Sequence, residues 1–337
     1  MTTFLLFSFL SGVLELGTVL RYFNEGYPLW NIFLMASMYQ LGNLLFLPER
    51  LQPSLARGLG MVNGIVSVVC MYSGNLFPEA FGIVLTSLCI QIVRAEHKEN
   101  CPTWIKRTFR IGGFLFSPVM VFYGPAVMVI ISILAAVLIV TGNDGTVQKR
   151  RTKNRTISFV MVYHQMHYFI YTYIMPLTVI YLTKNIYMSV FLYVLTWLVY
   201  LLPEWVLKKN ARYDAKRIFF ICHLLLGVLM AVLSMSFLTE NIWAGLCAWM
   251  LTGAGGGSVF CIKELTEANA VCNMPLSENI GHFLGSVLSA VIAAAVTDHI
   301  GMTLTGVSCI FVCMTLLAAV IGILNEKNRE GQPGEKI

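Results

Sequence analysis

Long apolar stretches separated by short polar segments run along almost the whole chain. Stretches of about 18 to 22 residues are long enough to cross roughly 30 Å of hydrocarbon as a helix. The pattern therefore predicts an all-α polytopic membrane protein with twelve transmembrane helices. The predicted spans of the first half are 4–22, 29–47, 59–73, 78–95, 108–123 and 125–142, and those of the second half are 157–182, 185–206, 218–238, 241–262, 277–297 and 301–323.

The polar connections alternate in length and charge. The odd-numbered connections are short, whereas the even-numbered ones are longer and basic. All but two of the 23 Lys and Arg residues lie on the side of the even connections, the exceptions being Arg21 and Lys184. Because basic loops stay on the cytoplasmic side, we expect both termini to be cytoplasmic and the protein to reside in the plasma (cell inner) membrane.

A basic segment, Asn143–Arg155, divides the chain near its middle. We predict a six-helix N-terminal bundle over 1–142, a cytoplasmic linker over 143–156, a second six-helix bundle over 157–324 and a polar cytoplasmic tail over 325–337. The basic residues of the linker are expected to fix topology and to contact anionic lipid headgroups.

Composition agrees with the membrane class. The chain is 57% hydrophobic and 12% charged, with a mean hydropathy of +0.73, whereas soluble domains carry roughly twice that charged fraction. The net charge of +6 is spread over short loops and does not indicate nucleic-acid binding. No Walker, Gly-x-Ser-x-Gly or Ser-His-Asp pattern occurs. We therefore expect no enzyme activity, no cofactor and no ATP-driven transport.

The two halves carry weak internal repeats in register with the predicted helices, which indicates two related six-helix units. The matched pairs are Leu45–Glu49 with Leu201–Glu204, Ile111–Ser117 with Ile280–Ser286, and Cys89–Ile90 with Cys261–Ile262.

With six plus six helices, cytoplasmic termini and a basic central loop, the chain resembles the major facilitator superfamily of secondary transporters. The passage from Gly26 to Pro48 is similar to that family's entry into helix 2, whereas the loop Pro48–Arg57 keeps only basic residues and a displaced acid of the family's Asp-Arg…Gly-Arg-Lys signature. Gly113-x-x-x-Ser117-Pro118 is similar to the Gly-x-x-x-Gly-Pro pattern of exporters. The resemblance implies alternating access about a central site, with efflux slightly favoured over uptake.

Glu15 is the clearest candidate for chemistry, because an ionisable group inside a membrane span is costly unless it faces a cavity or a partner. A carboxyl there can take up a proton or pair with a cationic substrate. The alternative is a structural Glu that is hydrogen-bonded to the end of a neighbouring helix.

Helix 7 carries a second candidate, because His164, His167, Tyr168 and Tyr171 form one stripe at helical spacing. Histidine can load and release a proton near physiological pH, and tyrosine offers a flat wall with a polar tip. The resemblance implies that Glu15 and this stripe face the same cavity. Two alternatives stay open: structural contacts to neighbouring helices, or a metal site that takes a third ligand from elsewhere, such as Glu15. The favoured prediction contains no metal.

Further candidates concern the cavity and its gates. Gln40 is a candidate for the cavity wall. Glu49 and Glu204 occupy corresponding positions beside Arg50 and Lys208, where they could form gating ion pairs or be ordinary solvated loop charges. The run Gly253–Gly257 includes Gly255 and Gly256. The favoured interpretation of these glycines is close helix packing, and the second is a sliding gate.

These observations predict a secondary active transporter of a small, amphipathic organic solute. We expect coupling to protons through Glu15 and His164 or His167, and a monomer that contacts only solute, protons and membrane lipids. Two alternatives from other classes are an intramembrane metal-dependent enzyme using His164 and His167, and a transporter-like receptor or scaffold without flux.

Overall fold

A computed structural model describes residues 2–46, 53–96, 102–141, 156–209, 214–267, 273–296 and residue 317. Within these ranges the regular structure is entirely α-helical. The thirteen helices of the described part are α1 (Thr2–Asn24), α2 (Leu29–Leu45), α3 (Pro53–Met71), α4 (Leu76–Glu96), α5 (Thr103–Phe116), α6 (Val119–Thr141), α7 (Phe159–Thr183), α8 (Ile186–Val199), α9 (Leu202–Lys209), α10 (Ala215–Thr239), α11 (Ile242–Gly257), α12 (Val259–Glu267) and α13 (Met274–Val296).

Most predicted spans have a matching helix, and two of them are broken. The span predicted at 185–206 is the pair α8 and α9, and the span predicted at 241–262 is the pair α11 and α12. The span predicted at 301–323 falls outside the described residues except at position 317, so the number twelve stays a prediction.

The connection predicted at Tyr123–Gly124 coincides with a helix break. Tyr123 has non-helical backbone angles inside α6, so two helices meet there, and Pro125, which has no backbone N–H donor, follows two residues later. A second break, between Phe116 and Val119, separates α5 from α6 and falls inside the predicted fifth span.

Seven helical stretches within the described ranges are long and apolar enough to cross a membrane. Large apolar side chains on their outer faces are exposed, as Ile65 and Val69 are on α3, which is the arrangement expected of helices that meet lipid. Helix α7 has 25 residues but is not among the seven, because histidine, glutamine and tyrosine lower its hydropathy. The protein is thus a multi-pass membrane protein.

The chain divides into two compact units. The first contains Met1–Lys153 and Ile186–Val194, and the second contains Asn154–Asn185 and Leu195–Ile337. In the first unit α1 is central, packing against α2, α4, α5 and α6, while α3 packs against α4 and α6. In the second unit α7 packs against α13, and α10 packs against α11.

One closely packed helix pair of the first unit corresponds to one of the second. In α1 and α5, Gly12 and Gly113 bring the two backbones together: a Cβ on Gly113 would lie 2.0 Å from the Phe9 carbonyl oxygen. In α7 and α13, a Cβ on Gly281 or Gly285 would lie 2.6 or 2.3 Å from a carbonyl oxygen of α7. Small residues allow membrane helices to approach this closely, and the pairs fall where the Ile111–Ser117 and Ile280–Ser286 repeats predicted equivalent helices.

Candidate functional site

Glu15 lies in the centre of the first unit and is fully buried on α1. Its Oε2 accepts a charge-assisted hydrogen bond from Nη2 of Arg110 on α5, forming an ion pair. Its other oxygen, Oε1, has no hydrogen-bond partner among the described residues. The glycine contact between α1 and α5 holds the two side chains together, because a Cβ on Gly12 would lie 2.3 Å from the Arg110 carbonyl oxygen.

A polar network joins α2 and α4 beside this ion pair. Asn43 is its hub: its side-chain oxygen accepts hydrogen bonds from Ser87 at 3.0 Å and from Gln91 at 2.7 Å, and its amide donates to Gln40 at 3.1 Å. Arg94 then donates to Gln91 at 3.3 Å. Gln40 is therefore buried in an interhelical network, which fits a role in holding α2 to α4.

Three histidines form the second cluster, in the second unit. His164 and His167 lie one turn apart on α7, and His223 faces them from α10. All three side chains are at most 1% exposed. One ring nitrogen from each residue lies within 4.8 Å of the others. A third imidazole, from His223, thus joins the predicted His-x-x-His pair. Glu15, which was suggested as a third ligand, pairs with Arg110 instead. We call this set the histidine trio.

Each ring of the histidine trio has one nitrogen against a backbone carbonyl oxygen. His164 Nε2 is 3.3 Å from the oxygen of Gly256, His167 Nδ1 is 3.2 Å from that of Tyr163, and His223 Nδ1 is 2.9 Å from that of Phe219. A carbonyl only accepts, so in neutral rings these three nitrogens carry the protons. The remaining nitrogens, His164 Nδ1, His167 Nε2 and His223 Nε2, then present lone pairs.

The rest of the predicted helix 7 stripe is only partly described. Tyr168 is buried, and its ring packs at 6.0 Å from that of Tyr200. The side chain of Tyr171 lies outside the described residues.

The glycines of α11 provide room for these neighbours. A Cβ on Gly256 would lie 1.8 Å from the Tyr168 ring, and one on Gly255 would lie 2.5 Å from Leu226. Gly253 and Gly257 sit one turn apart against the carbonyl oxygens of Thr196 and Tyr200, each with an ideal Cβ distance of 2.1 Å. Close packing thus accounts for these glycines without requiring a sliding gate.

Of the predicted gating ion pairs, only the one between Glu204 and Lys208 lies within the described residues. Glu204 forms an ion pair with Lys208 at 2.8 Å within α9, and the lysine side chain is 72% exposed. Glu49 and Arg50 lie outside the described residues.

Sequence reasoning passed over several ionisable groups in the described helices. They are Arg110, whose side chain is 32% exposed, the buried His223 and a cluster at the far end of α1. In that cluster Arg21 pairs with Glu25 at 2.7 Å and with Glu79 at 3.2 Å, and Tyr22 donates a hydrogen bond to Glu79. Gly124 in the bend of α6 makes room for the Arg21 side chain, because a Cβ there would lie 2.3 Å from Arg21 Cδ.

Comparison with known proteins identifies the fold. No protein-family model matches the sequence, and no curated protein shows significant similarity to it. Among solved structures, the nucleoside transporter NupG aligns with a TM-score of 0.65 and 12% identity over 96% of this chain and 98% of its own. A bacterial homologue of the iron transporter ferroportin, in its inward-facing state, aligns with a TM-score of 0.65 and 12% identity over 96% and 97%.

The xylose transporter XylE from E. coli, in a partially occluded inward-open conformation, is also similar, with a TM-score of 0.58 and 13% identity over 95% of this chain and 94% of its own. The chain therefore has the fold of these membrane transporters over nearly its whole length, which confirms at the level of fold the resemblance noted in the sequence. A shared fold does not define a shared solute.

Proposed function

We propose that this protein is a secondary active transporter of a small organic solute that works by alternating access. The observation that carries the proposal is the alignment with transporters over 96% of the chain and 97–98% of theirs. Buried ionisable residues in both units support it, since such residues in membrane helices mark solute or ion pathways. The proposal includes no catalytic step and no cofactor.

We further propose that Glu15 takes up the coupling proton. In the structure Arg110 holds the carboxylate, and protonation of Glu15 would remove the charge that binds Arg110. The pair can thus alternate between a closed ionic form and a released form. His164 and His167 are the second proposed pair of proton-loading groups, because each ring has one nitrogen that faces no backbone carbonyl and could accept a proton.

The buried aromatic and amide side chains suit an amphipathic solute. Tyr168 offers an apolar ring with a polar hydroxyl, and Gln40 is the amide candidate in the first unit. We propose Glu204 for the cytoplasmic gate together with Glu49 and Arg50. Efflux is favoured over uptake because of the pattern Gly113-x-x-x-Ser117-Pro118. We also propose that the protein is a monomer and that it resides in the plasma membrane.

A ligand screen tests the function. Full-length protein in detergent would be heated with the solutes named for the structural neighbours, namely nucleosides, xylose and iron ions. A ligand that binds only the folded state raises the apparent melting temperature. Solutes that do so would then be measured in proteoliposomes with an imposed pH gradient. Accumulation that collapses with a protonophore supports proton-coupled transport, whereas ligand binding without any flux would favour the receptor or scaffold alternative.

The substitution Glu15→Gln tests the proton assignment. Glutamine keeps the shape of the side chain but can neither bind a proton nor form the ion pair, so proton-driven flux should be lost while solute binding persists. Glu25→Gln is the matched control, because Glu25 is also an arginine-paired carboxyl near α1 but lies outside the proposed site. Flux through Glu15→Gln with an unchanged pH dependence would exclude Glu15 as the coupling group.

A further inference from the structure

We infer that the histidine trio, His164, His167 and His223, is a binding site for one divalent transition-metal ion. The inference concerns the second unit alone and does not rest on the proposed transport activity. A bound metal ion and a proton would compete for the same lone pairs of His164 and His167, so this inference is an alternative to proton loading at these two residues. It follows from the positions of the three rings, from the tautomers that their contacts impose and from the burial of the site.

The distances suit a small metal ion. His164 Nδ1 and His223 Nε2 are 3.3 Å apart, and two nitrogens bound at 2.0–2.1 Å in tetrahedral geometry are separated by roughly 3.3 Å. One ring nitrogen of His167 lies within 4.8 Å of a ring nitrogen of each of the other two residues.

The tautomers also suit a metal. Histidines that bind metals donate the other ring N–H to a backbone carbonyl or a carboxylate, which fixes the ring orientation. Gly256, Tyr163 and Phe219 supply one such carbonyl to each ring of the trio. Ser258 Oγ is 3.4 Å from His223 Nδ1, so it adds a second acceptor on the anchored side of that ring.

A purely structural role explains the arrangement less well. Histidines buried for packing should have both nitrogens satisfied, because an unpaired buried polar atom is costly. In the trio two lone pairs face each other at 3.3 Å, and His167 Nε2 has no hydrogen-bond partner in the described part of the chain. A shared proton would satisfy two of these nitrogens, whereas one metal ion satisfies all three.

The ligand set indicates the class of ion and its remaining coordination. Three neutral imidazoles suit Zn²⁺, Co²⁺, Ni²⁺ or Cu²⁺ rather than Mg²⁺ or Ca²⁺, which prefer oxygen ligands. Three ligands leave at least one position for water or an anionic group. Because the trio joins α7 to α10, a bound ion would also cross-link these two helices.

Metal titration of the full-length protein tests the site. The protein would be purified in detergent, freed of its affinity tag and treated with a chelator. Co²⁺ would then be added while the visible absorption of four-coordinate cobalt is recorded, and Zn²⁺ while the melting temperature is recorded. We expect saturation at one ion per chain and a higher melting temperature with Zn²⁺.

Two variants and a control locate the ion. His167→Gln and His223→Gln each remove one ligand and should weaken binding at least about tenfold. His282→Gln should bind like the wild type, because His282 lies in the same unit but hydrogen-bonds to Gln165 at 3.1 Å and stacks on Phe169. Gel filtration and circular dichroism would establish that each variant is folded. If His223→Gln fails to fold, His167→Gln alone decides. His167 Nε2 has no hydrogen-bond partner among the described residues, so the loss of this nitrogen breaks no hydrogen bond there.

Two outcomes would overturn the inference: no saturable binding by the wild-type protein, or binding that persists unchanged in His167→Gln. The second outcome would place the ion elsewhere. Neither result depends on flux, so this inference and the proposed transport function can fail separately.

Discussion

At the scale of single residues, two buried carboxylates form specific ion pairs. Glu15 is paired with Arg110, whose side chain is 32% exposed, and Glu79 is paired with Arg21, with both side chains only 7% exposed. Removing one partner of such a pair leaves an uncompensated charge in a medium of low dielectric constant, whereas the attraction within an exposed pair is screened by water and contributes little. The two kinds of pair should therefore respond differently to substitution.

Glu79→Gln should destabilise the folded protein by about 3–5 kcal/mol, the cost of breaking a buried pair. Glu25, whose side chain is 34% exposed, would remain as a partner of Arg21. We therefore expect a destabilisation at the lower end of this range. Lys208→Ala, which breaks the exposed pair with Glu204, should change stability by less than about 1 kcal/mol. Thermal unfolding in detergent measures both, and equal effects would show that the Arg21–Glu79 pair contributes no more than a surface pair.

The residues of the candidate site were only partly predictable from sequence. The cost of placing an ionisable group in a membrane span identified Glu15, His164 and His167, and it applies equally to Arg110, His223 and His282, which also lie in predicted spans. Their partners depend on tertiary packing, however, and no short spacing connects His223 to His164 across 59 positions. Sequence pattern marks which charges are costly, and the fold decides which charges meet.

At the scale of helices, hydropathy predicted the spans but not their continuity. The breaks between α8 and α9 and between α11 and α12 fall inside uninterrupted apolar stretches. At the second break, the Ser258 backbone N–H bonds to the carbonyl oxygens of Gly255 and Gly256. A sliding average of hydropathy does not register a local backbone turn of this kind. The glycine run was the available signal, and it indicates close packing as readily as a break.

Two adjacent glycines of α5 give a matched test of helix packing. Alanine at Gly113 would place Cβ 2.0 Å from the Phe9 carbonyl oxygen, whereas at Gly112 the nearest atom is a Phe9 ring carbon at 3.6 Å. Gly113→Ala should push α1 from α5 and destabilise the protein by about 1–3 kcal/mol, as overpacking does. Gly112→Ala should be neutral or stabilising by up to about 1 kcal/mol, since alanine is the better helix former.

Melting temperatures of the two variants provide the comparison. Because Gly12 contacts the Arg110 carbonyl, the displacement in Gly113→Ala should also weaken the Glu15–Arg110 pair and reduce any proton-driven flux. Equal melting temperatures for the two variants would show that α1 and α5 can separate without cost.

At the scale of the whole molecule, the fold is determined by features that do not require sequence similarity. Identity to NupG is only 12% while the TM-score is 0.65. Apolar spans of membrane-crossing length, small residues at the α1–α5 and α7–α13 contacts and a charge asymmetry between loops are general properties of helical membrane proteins. The solved structures with this fold include a nucleoside transporter, a xylose transporter and a homologue of an iron transporter, so the solute has to be sought in the buried polar clusters.

The predicted orientation in the membrane rests on the charge asymmetry between the loops, to which Arg21 and Lys184 are the two exceptions. Arg21 is buried and paired with Glu25 and Glu79, so it adds little free positive charge to its side. Lys184 ends α7 in a left-handed conformation and lies over the Tyr181 ring. The basic segment Asn143–Arg155, outside the described residues, should therefore be cytoplasmic.

An epitope inserted after Gln148 should be detected only when the cells are permeabilised. An epitope inserted after Glu240, in the connection between α10 and α11, should be detected on intact cells. The second insertion is the control, because the predicted topology places it on the opposite face. If instead the epitope after Gln148 were accessible on intact cells and the one after Glu240 were not, the predicted orientation would be reversed. Glu204 would then lie on the outer side of the membrane. Access to both epitopes from the same side would contradict the predicted number of membrane crossings between residues 148 and 240.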